Sequence, residues 1–155
     1  MADFIAPREH VSEIACAFPR VQINFAAAKH DLVALRRLIE ANSQRTFITQ
    51  RNTANFNLWP AFTDLPNHAD LFDASGGRGV QRLAWPTAML DARCGWSGGL
   101  GPHNLEAQLP RIHAAARLPY RVDMESGLRD EADQLDLARA RRCIEIVEAF
   151  NRAHL

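Results

Sequence analysis

Short apolar runs of strand type recur along the 155-residue chain: Val21 to Phe25, Thr46 to Gln50, Ala69 to Asp73, Ala92 to Trp96 and Tyr120 to Met124. Their starts lie 25, 23, 23 and 28 residues apart. Between them apolar positions return at helical spacing, as in Leu32, Leu35, Leu38 and Ile39 behind an Asp31 cap, and again in Ala140, Cys143, Ile144, Val147 and Phe150. Such alternation needs a crossover helix between successive strands, so it predicts a parallel sheet covered on both faces. Ahead of the first run, Val11, Ile14, Ala15 and Phe18 predict one further helix, entered at Pro7 and closed by Pro19. Pro110 is expected to bend or split the helix after the fourth strand, because proline removes a backbone donor.

No stretch rich in Ser, Gly or Pro divides this pattern, and 47% hydrophobic content suffices for one core, so residues 1–155 are expected to form a single domain. Lysine plus arginine equals aspartate plus glutamate at 18 each, which leaves no net field to draw in nucleic acid or acidic lipid. Cys16, Cys94 and Cys143 are odd in number and far apart, in no CxxC spacing. That pattern excludes a disulfide framework and a structural zinc site, and a reducing cytoplasm is the expected compartment. The start of the chain has no apolar core behind a basic segment, and no run is long enough to span a bilayer. The six histidines show no HxH or HExxH spacing, so no metal and no cofactor are expected.

The glycines gather where strands are predicted to end: residues 75 to 79 (SGGRG), 98 to 101 (GGLG) and 126 to 127 (SG). In α/β sheets ligands bind at the carboxyl ends of strands. A strand end without side chains lets an anion reach backbone N–H groups. Gly101 as cap and Pro102 as first helical residue would add the donors of a helix N-terminus. Two adjacent strand ends of this kind match the phosphate site built from the last two strands of a (βα)8 barrel. Asp73 closes an apolar strand before a glycine loop, which suits a general acid whose pKa is raised by partial burial.

Three segments, LFDASGGRG from Leu71, GWSGGLGPHNL from Gly95 and VDMESGLRDEADQLDLARARR from Val122, resemble the sixth, seventh and eighth strand regions of the phosphoribosylanthranilate isomerase family. RVQINF from Arg20 is similar to that family's fourth strand, and the likeness runs in order over most of residues 20 to 150. The resemblance implies the C-terminal part of a tryptophan-pathway barrel enzyme: an α/β, incomplete (βα)8 TIM-type barrel of about five parallel βα units preceded by one helix. It further implies an Amadori rearrangement of a phosphoribosyl-amine substrate. Asp73 then stands as the acid that protonates the sugar ring oxygen, and Gly98, Gly99, Ser126 and Gly127 hold the substrate phosphate through backbone N–H groups. Asp123 matches an acidic position of the eighth strand, as a substrate contact or a structural residue. Glu125 stands where the family tends to have serine, and Arg78 departs from the pattern as an added cation for a phosphate or carboxylate.

A full barrel takes roughly 200 residues. The first three strands do not fit ahead of Val21, and the family's Lys-x-Cys-Gly stretch, which carries its general base, is absent from the sequence. Three arrangements stay open: a start inside a longer barrel, which is preferred, a fragment that pairs with another copy, or a remnant that binds phosphosugars without turnover. An open sheet edge favours a homodimer through that edge.

Overall fold

The computed structural model describes residues 17–23, 31–52, 55, 59–73, 84–88, 93–117 and 119–154. The chain divides into two compact units, Met1–Phe72 and Asp73–Leu155. In the first, strand β1 (Arg20–Ile23) leads to helix α1 (Leu32–Ala41), β2 (Thr46–Arg51), the short helix α2 (Trp59–Phe62) and β3 (His68–Asp73), whose last residue opens the second unit. There β4 (Cys94–Ser97), α3 (Leu105–Ala115), β5 (Arg121–Asp123), a 3-10 turn (Ser126–Leu128) and α4 (Leu137–His154) follow. Parallel strands in the chain order β1-β2-β3-β4-β5, with helices after β1, β2, β4 and β5, make the fold α/β, an incomplete TIM-type barrel. Most of the helix expected before β1 lies outside the described residues; Ala17 and Phe18 at its end are exposed and not helical.

Alternation along the strands sorts the first unit into two faces. Phe47 joins Ile23, Leu35, Ile39, Phe62 and Leu65 in one buried cluster, which is the helix-facing side of β2. Its neighbour Ile48 points the other way, into a cluster with Ala69 and Leu71. Helix α1 begins where its cap dictates: Asp31 Oδ1 accepts from the Val33 and Ala34 amides at 2.9 and 3.0 Å. At the far end the Asn67 side chain donates to the Ile39 carbonyl at 2.8 Å and the Asn42 carbonyl at 3.2 Å, satisfying acceptors that the helix leaves over. Asp31→Ala should lower stability by about 1 kcal/mol in urea unfolding, with the midpoint moving and the slope unchanged.

Strand ends differ from the sequence expectation for physical reasons. The fourth strand runs on to Ser97 and the fifth is only Arg121–Asp123, because their ladder pairs Gly95 with Arg121, Trp96 with Val122 and Ser97 with Asp123, and stops there. Gly98 follows with φ of 125°, outside any extended conformation. Pro110 does not split its helix: α3 runs through it from Leu105 to Ala115. The donor it lacks would have served the carbonyl of Glu106, and both residues are exposed, so water can serve that carbonyl. Gly101 is not the cap of α3 and Pro102 is not its first residue. The helix starts three residues later, after a turn in which the Asn104 amide donates to the Gly101 carbonyl at 3.1 Å. Among the described residues no helix is long and apolar enough to cross a membrane.

Candidate functional site

The second unit holds the site, and its two walls are the segments that follow β4 and β5. Ser97 and Asp123 are register partners, so their side chains leave the sheet on one face, opposite the face of Trp96 and Val122. Trp96 is anchored by its indole N–H on the Pro86 carbonyl at 2.9 Å and by an edge contact with Tyr120. Packing on one face therefore fixes what the other face presents. Asp73, at the end of β3, is 2% exposed.

Beyond Ser97 the chain turns through Gly98 at φ 125° and Gly99 at φ 62°, conformations that a side chain would resist. Asn104 holds this turn from both sides. Its Oδ1 accepts from the Gly101 amide at 3.0 Å, and its Nδ2 donates to the Gly99 carbonyl at 2.8 Å. The Gly101 amide is thereby committed to the protein. Among the described residues, and outside strand ladders, the backbone hydrogen bonds include none donated by the amides of Gly98, Gly99, Ser126 or Gly127. Asn104→Ala would release two hydrogen bonds worth about 1 kcal/mol each, and thermal unfolding should show a loss of about 2 kcal/mol.

The second loop meets the first, backbone against backbone. A Cβ placed on Gly127 would stand 2.1 Å from the Leu100 carbonyl oxygen and 3.0 Å from the Gly101 Cα, and one placed on Gly101 would stand 3.2 Å from the Gly127 Cα. The two glycine segments are thus in direct contact, and at Gly127 only a residue without a side chain fits. His103 is exposed, with its ring at the edge of the same contact.

Carboxylates supply the electrostatics. Burial pushes the Asp123 carboxyl above its ordinary pKa, the charges of Asp73 and Glu125 push it the same way, and a hydrogen bond with Ser97 opposes them. Glu125, the residue unfavourable beside an anion, is turned to Arg129, at 3.1 Å, and its side chain is largely in solvent. Arg129 in turn donates to the Asp133 carbonyl at 2.8 Å, which ties down the segment leading to α4. Asp136 caps that helix through the Ala138 and Arg139 amides.

Of the residues singled out in the sequence, Gly98, Gly99, Ser126 and Gly127 fall on the two touching segments, and Asp73 lies close enough to Asp123 to affect its charge. Arg78 lies outside the described residues. Asn104 and Ser97 are functional-site residues without an assigned role in the sequence pattern. Asn104, five residues past Gly99 in the Gly-Gly-Leu-x-Pro-x-Asn stretch, carried a signal in its spacing; Ser97 carried none. Gln50, Arg51 and Asn55, at and after the end of β2, are bonded within the first unit. Arg51 pairs with Asp70 at 2.7 Å, and the buried Asn55 side chain donates to the Gln50 carbonyl at 3.3 Å. His68 is buried against the Thr49 hydroxyl at 2.8 Å, and burial lowers its pKa. Cys94 and Cys143 are buried thiols, and among the described residues no group of His, Cys, Asp or Glu is placed to hold a metal ion.

Fold and site together define a barrel-type α/β protein whose two glycine segments touch beyond β4 and β5. A comparison with solved structures matches the crystal structure of phosphoribosyl anthranilate isomerase from Thermotoga maritima, with a TM-score of 0.58 and 15% sequence identity over 91% of this chain and 68% of that one. At that identity the likeness establishes the fold. No protein-family model and no curated protein sequence matches the chain.

Proposed function

We propose that this chain binds a phosphorylated aminosugar at the two glycine segments and acts on it as an isomerase of the phosphoribosylanthranilate type. One observation carries the reading: the approach of Gly127 to the Leu100 carbonyl, which brings two bare strand ends together. Backbone amides of Gly98, Gly99, Ser126 and Gly127 are the donors for the phosphate, an arrangement that needs no cationic side chain. The similarity of fold to the Thermotoga maritima isomerase supports the same reading.

In this mechanism Asp73 gives a proton to the ring oxygen as the C1–O bond breaks and the amine nitrogen's lone pair forms C1=N. Loss of the C2 proton gives an enaminol, and a proton gained at C1 with loss of the proton from the C2 hydroxyl then gives the aminoketose, with no external oxidant or reductant. Asp123, whose carboxyl burial holds above its ordinary pKa, is the second carboxyl proposed to contact the substrate. Arg78 is the cation proposed for the substrate's carboxylate. The reducing cytoplasm is the compartment that suits the free thiols of Cys94 and Cys143.

Calorimetric titration tests the binding step. Ribose 5-phosphate should bind saturably and ribose should not; equal behaviour of the two sugars would sink the reading. A second reading is phosphosugar binding without turnover. It predicts the same titration and no product.

A further inference from the structure

We propose that the outer stripe of α4, with the groove beside it, is a twofold interface to a second copy of this chain. Of the five large hydrophobic residues exposed among those described, three, Leu135, Leu137 and Ile144, lie on α4 or just before it. Leu137 and Ile144 are 72% and 59% exposed and, seven residues apart, share one stripe of the helix. Cys143 and Ile146 point elsewhere and are buried. Beside the stripe runs an apolar groove of about 570 Å³, walled on one side by Tyr120, Val122 and Met124 and on the other by Ala140, Ile144 and Val147. Strand β5, which contributes to that wall, has β4 as its one partner among the described strands. An apolar surface of this kind beside a singly paired strand marks a place where another chain packs.

The charges beside the stripe select the partner. Arg141 and Glu148 are exposed, three residues before and four after Ile144. When two α4 helices cross antiparallel at Ile144, Arg141 of each copy meets Glu148 of the other. A parallel crossing would set arginine on arginine and glutamate on glutamate. Glu148 has a neighbour on its own helix, Arg152 at 4.0 Å, but an exposed pair at that distance holds it weakly. Equal numbers of acidic and basic residues, 18 of each, leave no net repulsion between copies. The surface is therefore self-complementary in one orientation, as a twofold contact requires. It makes no use of the phosphate reading and stands or falls separately from it.

Sedimentation velocity on the full chain tests the interface. The wild-type protein should form a dimer, and Ile144→Arg should leave it monomeric with its circular dichroism unchanged. Arg141→Glu or Glu148→Arg alone should each weaken the dimer about tenfold, because two pairs become repulsive at once, and the double reversal should restore it. A monomer at every concentration would overturn the proposal, as would a dimer indifferent to the single reversals. So would a groove that takes up an apolar dye equally well under dimeric and monomeric conditions.

Discussion

Gly127→Ala should abolish measurable binding of ribose 5-phosphate, a loss of at least about a hundredfold, and destabilise the fold by about 2–4 kcal/mol. The added methyl would stand 2.1 Å from the Leu100 carbonyl oxygen, whereas a carbon settles against a carbonyl oxygen no closer than about 3.3 Å. One segment must retreat by about an ångström, and both carry amides assigned to the phosphate. Gly101→Ala is the control, since its methyl would meet the His103 ring and the Gly127 Cα at 3.1–3.2 Å, contacts that small shifts relieve. Its effect on affinity and stability should be several times smaller. Calorimetry and urea unfolding of the two variants side by side check the contrast, and equal losses would show that the contact between the segments is not what matters.

Asp73→Asn should lower turnover of an N-aryl phosphoribosylamine by at least about a hundredfold and leave ribose 5-phosphate affinity within about threefold. The amide keeps the shape of the side chain and cannot deliver a proton. The variant also removes one of the charges acting on Asp123, whose carboxyl should titrate at a lower pH than in the wild type. That shift, read by carbon-detected NMR, confirms that the two carboxylates share a site even where no product forms. An unchanged rate would remove Asp73 from the chemistry, and absence of turnover in the wild type itself would leave the binding-only reading.

Much of the fold was legible because each element obeys its own periodicity. Leu35 and Ile39 are buried on α1 as the spacing predicts, and Asp31 caps it. The strand alternation of β3 places Asp73 on the face of Ala69 and Leu71, away from His68 and Asp70. What local reading missed depends on residues distant in sequence. The helix after β4 was expected to start at Pro102, a good first residue, but Asn104 reaches back to Gly99 and Gly101 and postpones the start to Leu105. Arg51, the last residue of β2, is held inside by Asp70 from the next strand, a partner that local reading does not supply. Glu125, a carboxylate beside the glycine segment, is held by Arg129, four residues on. The glycines announced a close approach somewhere; that Gly127 makes it to Leu100 required the register of β4 and β5.

The central claim is that the two glycine segments jointly grip a phosphate dianion. An amide NMR titration with inorganic phosphate tests it most directly. The amide signals of Gly98, Gly99, Ser126 and Gly127 should shift together along one saturable curve, while that of Gly101, already bonded to Asn104, shifts least. Shifts confined to one segment, or none that saturate, would contradict it.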